Sequence, residues 1–364
     1  MTLPSAQTLP PRRSGALVAF GIGGAIVAAI AVLANPAAGW AGVLTAAVYG
    51  LTIALGGALF AAIFAGTGAV WWLPIRSIPL AIAGTLLVPA LALALFVALG
   101  AIHVYPWADP EVVAHNHLIH GKAGWLNWPF YAVRAAVVLL LWWALVGAMR
   151  RRFAEGRPLA RIGIGFLVVF ALTLSVASWD WLMSIETEWY STMYAVYVFA
   201  GAIHAGIATT ALVTFRRRRA LGAALDRNRI QTLGSLLFAF AFFWGYIWFS
   251  QAMLIWYANI PEETIHYAAR MSNGWTAAFW LNLVLNLAVP FLVLMPVGSR
   301  RSTFVVSQVA VVVLLGHWLD VLLLVGPGVA PASSAVPYAA VGATVAVGAA
   351  MLHRLRRDRL LAPQ

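Results

Sequence analysis

The sequence predicts an all-α membrane protein with about ten transmembrane helices, and three observations support this fold class. Hydrophobic residues make up 63% of the chain, charged residues only 9%, and the mean hydropathy is +0.88. Ten apolar runs are long enough to cross about 30 Å of hydrocarbon as helices. Basic residues collect in alternate connections between the runs, as expected of a chain that crosses a membrane repeatedly. The whole chain, 1–364, is therefore predicted to form one polytopic membrane domain.

Short connections join the apolar runs, so each run is predicted to form one membrane-spanning helix. The first follows Arg12 and Arg13, is too long for the apolar region of a signal peptide and lacks a small-residue cleavage pattern, so we expect it to remain as a span. The last is followed by a basic stretch, which predicts a final helix and cytoplasmic tail over 336–364. In chain order the runs are 15–34, 40–64, 78–100, 125–148, 162–183, 190–215, 231–255, 274–296, 302–325 and 336–353.

Basic residues lie almost entirely on one side of the predicted bundle. All but three of the 23 Lys and Arg residues fall on that side, and the exceptions are Lys122, Arg134 and Arg270. The positive-inside rule assigns this side to the cytoplasm and predicts that both termini lie there. The opposite side, called the predicted outer end below, is rich in tryptophan, which an interfacial belt explains. It also carries titratable residues that a belt does not explain: Asp109, Glu111, Glu186, Glu188, Glu262, Glu263, His103, His115, His117, His120 and His266.

Three motifs recur in the same order at a nearly constant offset. The segment P-E-V-V-A-H at 110–115 corresponds to P-E-E-T-I-H at 261–266, and Asp180 corresponds to Asp320. Between these, A-G-W at 123–125 corresponds to N-G-W at 273–275. The pattern predicts two parallel four-helix repeats, 40–183 and 190–325, with two peripheral helices outside them. Parallel repeats place functional sites at or near their interface.

Ionisable side chains inside apolar runs are costly in hydrocarbon and tend to be functional. Asp180 and Asp320 lie near the predicted outer ends of the fifth and ninth runs, and His317 precedes Asp320 by one helical turn. A buried carboxyl near a histidine is suited to move protons, because both groups titrate near neutral pH when perturbed. The candidates for a proton route or a quinol site are Asp180, Asp320, His317, Arg134, His204, Glu186, Glu188, Glu262 and Glu263.

A structural role is the alternative for these polar groups. Membrane helices form hydrogen bonds to one another through such side chains, and Arg134 could form an ion pair with an aspartate. Hydrogen bonding between helices is the favoured role for another set of residues. These are Tyr194, Tyr197, Asn282 and Asn286.

The chain has no cysteine, which excludes disulfides, iron–sulfur ligation, thiolate zinc sites and covalently attached haem c. His115, His117 and His120 form an H-x-H-x-x-H run without helical i,i+4 spacing, so a solvated loop that contacts a partner is favoured over a metal site. No phosphate loop, nucleophile motif or nucleotide fingerprint stands out. We therefore assign no catalytic residue, no metal ligand and no nucleic-acid partner.

Two long blocks resemble a known family. They are S-W-D-W-L-M-S-I-E-T-E-W-Y-S-T-M-Y at 178–194 and F-F-W-G-Y-I-W-F-S-Q-A-M-L-I-W-Y-A-N-I-P-E-E-T at 242–264, with W-L-N-W-P-F-Y-A-V-R at 125–134 as a third. They are similar to the ActF family of membrane subunits of bacterial alternative complex III, a quinol:cytochrome c oxidoreductase. That family in turn resembles the NrfD and polysulfide-reductase membrane subunits, which have paired four-helix bundles. The resemblance is densest over 105–290.

The resemblance implies a multi-pass subunit in a bacterial inner membrane that contributes proton conduction, with quinol binding as a further option. Iron–sulfur and haem c centres would then belong to partners: an iron–sulfur subunit, a multihaem cytochrome c and a second NrfD-like subunit. The outer mouth of a proton route would comprise Glu186, Glu188, Glu262 and Glu263. Three alternatives stay open: a scaffold subunit of that complex, the quinone-reactive anchor of a molybdoenzyme, and an independent secondary transporter.

Overall fold

The computed structural model describes residues 14–272, 274–330 and 335–362, and every regular element within them is helical. Ten helices in these ranges are long and apolar enough to cross a membrane, which confirms the predicted all-α, multi-pass fold class. Arg12 and Arg13 lie outside the described residues. The ten helices are α1 Gly15–Ala34, α2 Pro36–Gly66, α3 Ser77–Val104, α4 Trp128–Ala154, α5 Ala160–Ile185, α6 Tyr194–Arg216, α7 Arg227–Ala258, α8 Thr276–Leu294, α9 Thr303–Val329 and α10 Ala335–Arg356.

The predicted runs match these helices one to one, and the largest difference lies at the basic end of α4. Helix α4 continues to Ala154 rather than 148, and α7 begins at Arg227 rather than 231. Arginine is a good helix former, and its long side chain reaches polar surroundings from within a helix end. A hydropathy profile excludes the charged residues, so it ends α4 too early and begins α7 too late.

Several helix starts follow from local capping signals. Asn35 caps α2 by accepting a hydrogen bond from the Ala38 amide at 3.1 Å, and Pro36 occupies the first turn. Asn127 caps α4 in the same way, accepting from the Phe130 amide at 3.1 Å. These side chains satisfy backbone donors that have no partner within the helix.

Helices α2, α6 and α9 form the centre of the bundle, whereas α1 packs at the periphery against α2 and α10. A close approach joins α2 to α6 at two glycines. A Cβ atom at Gly56 would lie 2.4 Å from the Ala202 carbonyl oxygen and 2.7 Å from Gly206 Cα. Only glycine allows the backbones to meet this closely, as at many helix crossings in membranes.

Packing within α2–α5 has counterparts within α6–α9. Helix α2 contacts α3 and α5, and α6 correspondingly contacts α7 and α9. Across the two groups, α2 contacts α9 and α6 contacts α5. The boundaries of the two repeats and the membrane orientation stay predictions.

A ten-residue helix, Pro261–Arg270, connects α7 to α8 at the predicted outer end. Helix α7 stops at Asn259, whose φ of 48° is a left-handed conformation that commonly ends helices. Pro261 then starts the connecting helix. His266 and Arg270 stand one turn apart on its buried face, so the connection delivers two titratable side chains to the interior.

Candidate functional site

Asp180 in α5 forms a buried ion pair with Arg134 in α4. The guanidinium contacts both carboxylate oxygens, with Nε to Oδ2 at 2.6 Å and Nη2 to Oδ1 at 3.0 Å. Only 1% of Asp180 is exposed. A two-point contact of this kind fixes both side chains and satisfies both charges.

Aromatic residues complete the surroundings of this ion pair. The Trp125 indole donates to Asp180 Oδ1 at 2.9 Å, and the Trp125 carbonyl accepts from Arg134 Nη1 at 2.9 Å. The guanidinium carbon lies 4.2 Å from the Trp125 ring centre and 4.3 Å from that of Phe130, within the range of cation–π attraction. The geometry of Arg134 and Asp180 thus matches the structural alternative that the sequence left open.

Asp320 in α9 has a different environment, although it corresponds to Asp180 in the predicted repeat. It is 3% exposed and accepts hydrogen bonds only from neutral donors. The Tyr197 hydroxyl and the Asn282 amide donate to Oδ1, the latter at 2.8 Å, and the Trp244 indole donates to Oδ2 at 3.2 Å. Among the described residues, no cationic side chain lies within ion-pair distance of Asp320.

A second amide orients the Asn282 side chain. Asn286 Nδ2 donates to Asn282 Oδ1 at 2.7 Å, which leaves the Asn282 amino group directed at Asp320. The sequence favoured simple helix–helix hydrogen bonding for these asparagines and for Tyr197. They do join helices, but the acceptor that Tyr197 and Asn282 share is the candidate carboxylate itself.

Two histidines and a threonine form a further group of buried polar side chains near Asp320. His317 Nε2 and Thr52 Oγ1 share a hydrogen bond of 2.7 Å. His317 and Asp320 both face Gly201, where a Cβ atom would lie 3.0 Å from the His317 ring and 3.6 Å from Asp320 Oδ2. His204, one turn after Gly201, is buried close enough to His317 to interact with it electrostatically. The structure thus brings three of the candidates, Asp320, His317 and His204, into one region.

Glu186 forms a second ionic cluster at the predicted outer end with His266 and Arg270. His266 Nδ1 donates to Glu186 Oε2, and Arg270 Nη1 donates to Glu186 Oε1 at 2.8 Å. The Trp189 ring stacks on the His266 ring, with 3.9 Å between centres and an 8° tilt. The cluster therefore fastens the link after α5 to the Pro261–Arg270 helix.

The charges of this cluster follow from its burial and its partners. Burial alone would raise the pKa of Glu186, but Arg270 and His266 outweigh it and lower that pKa to about 2. Burial and then Arg270 lower the pKa of His266 to about 4, against the opposing effect of Glu186. At neutral pH, Glu186 is therefore ionised, and His266 is neutral and donates its Nδ1 hydrogen.

Thermal stability is expected to fall as the pH drops from 6.5 to about 4, because His266 is buried in its neutral form. Across this window the unfolded chain binds more protons than the folded one, so acid favours unfolding. The shift corresponds to a loss on the order of 3 kcal/mol. Glu186 adds a further loss between pH 4.5 and about 2. Tryptophan fluorescence of the purified chain, recorded during heating at each pH, measures the melting temperature.

Two glutamine variants provide the comparison for this pH series. The His266→Gln chain keeps a donor for Glu186 but cannot titrate, so its melting temperature should change little between pH 6.5 and 4. The His115→Gln chain alters an exposed ring and should keep the wild-type decline. A wild-type curve that stays flat down to pH 4 would contradict a neutral, buried His266.

A small cavity of about 20 Å³ lies between this ionic cluster and Asp320. His266 and Arg270 line its outer part, and Asp320, Asn282 and Gln251 also line it. A space of this size holds about one water molecule. The cavity joins the outer cluster to the buried carboxyl, a connection that the sequence did not reveal.

A larger cavity of about 460 Å³ opens at the predicted outer end of α5. Asp180 and Lys122 both lie in its wall, and the Lys122 ammonium donates to the Thr187 carbonyl. Four aromatic residues also line this cavity. They are Trp125, Trp179, Trp189 and Tyr190.

The remaining candidates lie nearer the surface. Glu188 is exposed and accepts from Asn116 Nδ2 at 2.6 Å. Glu262 and Glu263 occupy the first turn of the connecting helix, where acidic residues favour the helix dipole. Neither belongs to the cluster around Glu186.

The expectation of a loop around His115, His117 and His120 is wrong. His115 ends a short helix, Pro110–His115, and the other two lie in a second, His117–Gly121. Asp109 and Asn116 cap these helices. The prediction considered only the spacing of the histidines and overlooked these capping residues. In the described ranges, no group of three His, Cys, Asp or Glu residues is arranged to hold a metal ion.

Comparison with known proteins gives a partial similarity. No protein-family model matches the chain. A protein of Halobacterium salinarum, provisionally named as a membrane subunit of dimethyl sulfoxide reductase, is 28% identical over 187 residues. The match covers 48% of this chain and 42% of the relative, so the chain spans less than half of the relative's length. Together with the ten apolar helices, this similarity supports a multi-pass integral membrane protein.

Proposed function

We propose that this chain is the membrane subunit of a respiratory redox complex and that it conducts protons by way of Asp320. The environment of Asp320 carries the proposal. Burial disfavours the charged form of Asp320, whereas the hydrogen bonds from three neutral donors favour that form. These opposing effects leave the charged and uncharged forms closer in free energy than they are for a carboxylate in an ion pair. Asp180, by contrast, forms a two-point ion pair with Arg134.

The proposed route runs between the outer cluster and the interior histidines. A proton that His266 accepts at Nε2 releases its Nδ1 proton toward Glu186, which already holds that hydrogen bond. From Asp320 the route continues to His317 and Thr52, and His204 follows on α6. Such exchange along buried acids and histidines is typical of proton paths in membranes. The outer mouth is formed by Glu186, Glu188, Glu262 and Glu263.

The partial similarity to a reductase membrane subunit supports membership of a redox complex. The chain has no cysteine, so iron–sulfur and haem c centres would be held by partner subunits. Alternative complex III, with this chain in the ActF position, is the finer form of the proposal. An NrfD-like anchor of a molybdenum-containing reductase is its closest competitor, and the name of the relative favours that competitor.

Quinol binding is a second candidate function, and the larger cavity favours it. Its volume of about 460 Å³ lies in the range of small-molecule sites, whereas the 20 Å³ cavity beside Asp320 is too small for a ring. Aromatic walls with a few polar groups suit a quinol head group. Asp180 and Lys122 are the charged residues that line it, and Ser184 and Thr187 are further polar ones.

Purification of the native complex in mild detergent tests the membership proposal. We expect a multihaem cytochrome c, an iron–sulfur subunit and a second NrfD-like subunit to co-purify, together with quinol:cytochrome c activity. A molybdenum-containing partner would instead establish the reductase anchor, and quinone retained by the isolated chain would support the second candidate. A lone, haem-free protein with a bound solute would overturn the proposal in favour of a transporter.

A further inference from the structure

Three buried donor groups converge on the small cavity without a partner. Arg270 is 3% exposed, and its Nη1 atom already bonds to Glu186 and to the His266 carbonyl. Its Nε and Nη2 atoms have no hydrogen-bond partner within the described ranges, and the same holds for Nε2 of Gln251, which is 6% exposed. Both side chains line the cavity. A buried donor without a partner costs about 1–3 kcal/mol, more for a charged group.

The space in front of these donors limits what can satisfy them. A volume of about 20 Å³ exceeds what one water needs and excludes a ring compound. Asp320 offers an acceptor on the inner side of the same cavity. A water molecule accepts two hydrogen bonds and donates two, so it can accept from the donors of Arg270 and Gln251 while donating to Asp320.

Charge selects a neutral occupant over a small anion. Arg270 is the cation at this cavity, and Glu186 already neutralises it at 2.8 Å. Asp320 adds a second carboxyl on the opposite wall. An anion would meet the field of two carboxylates and one guanidinium, whereas water meets no such repulsion.

We propose that this cavity is a binding site for ordered water that connects Asp320 to Arg270 and Gln251. The inference rests on the proposed proton route and supplies its missing contact. When Asp320 is protonated, its hydroxyl donates to the water in place of one of the donors of Arg270 or Gln251. Asp320 then gives its proton to the water, and the water gives one of its own protons to His266 Nε2, so the water stays neutral. Arg270 thus stands between two carboxylates: it contacts Glu186 directly and Asp320 through water.

High-resolution electron cryomicroscopy of the complete complex tests the site. The map must resolve other buried waters in the same subunit. We expect density for at least one water within hydrogen-bond distance of Arg270 and Gln251. That density should be lost in the Gln251→Leu chain, which removes one donor at similar volume, and kept in the Gln231→Leu chain. Gln231 lies on the same helix but contacts Arg301 at 2.8 Å, far from the cavity.

An infrared measurement keeps the test valid if Gln251→Leu does not assemble. Exchange of the wild-type complex into H₂¹⁸O should shift a band of internal water that changes when Asp320 changes protonation.

Empty density, or density that follows bromide exchange as an anion would, overturns the water site. If water is present but Asp320→Asn conducts protons normally, the water site stands and the proton route fails. If Asp320→Asn stops conduction and the cavity is dry, the proton route stands and the water site fails.

Discussion

An Asp320→Asn chain is expected to transfer protons about 100-fold more slowly than the wild type within an assembled complex. Asparagine has the same shape and can still accept from Tyr197 and Asn282 through its oxygen, but it cannot carry the proton. Its amide group faces the Trp244 indole hydrogen, a mismatch that costs on the order of 1 kcal/mol. Reconstitution of the complex in liposomes with a pH-sensitive dye measures the transfer during turnover.

Assembly of this variant is checked on native gels, because only an assembled complex makes the proton measurement meaningful. The Asn286→Ala chain is a useful comparison, since it removes the support of Asn282 but leaves the carboxyl of Asp320 in place. It should retain much of the transfer rate. Normal proton release from an assembled Asp320→Asn complex would favour a scaffold role for this subunit.

An Arg134→Met chain is expected to lose about 3–5 kcal/mol of stability and to assemble poorly. The substitution leaves the Asp180 carboxylate buried without its cation, and the ring faces of Trp125 and Phe130 lose the guanidinium that lies against them. Melting temperature in detergent and the yield of intact complex measure the effect. The double variant Arg134→Met with Asp180→Leu removes both charges and should recover most of the stability.

Comparing the two variants distinguishes two explanations for the loss of stability: an unpaired buried charge, or the loss of an ion pair that the fold requires. If the double variant is as unstable as the single one, the ion pair itself holds α4 to α5, and the lone-charge explanation is wrong. Proton transfer in the recovered double variant should be close to the wild type, because the proposed route passes through Asp320 rather than Asp180.

The ten spans could be predicted because hydropathy is a local property of each segment. Asp180 and Asp320 could be found for the same reason, since a carboxyl inside an apolar run is conspicuous by itself. Their different surroundings could not be deduced. The sequence does not say that Arg134 reaches Asp180 at 2.6 Å while Asp320 receives only neutral donors, because such contacts depend on how separate helices align.

His266 and Arg270 were missed as members of the site, although a signal was present. They stand four residues apart in P-E-E-T-I-H-Y-A-A-R, behind a proline and two acidic residues that begin a helix. That pattern predicts a short helix with both side chains on one face. Their partner Glu186 could not be paired with them from the sequence, because the two segments are far apart along the chain.

The glycine contact between α2 and α6 bears on how this molecule can work. At Gly56 and Gly206 the backbones of α2 and α6 touch, so no side chain separates the two helices at this crossing. Rocking of one half against the other, which alternating-access transporters require, would have to break this seam. Protons need no such motion, because they can pass through a static protein by small rotations of side chains and bound solvent. If the proposed function is correct, this contact favours a fixed proton path, which would suit a subunit whose neighbours must keep their redox centres at constant distances.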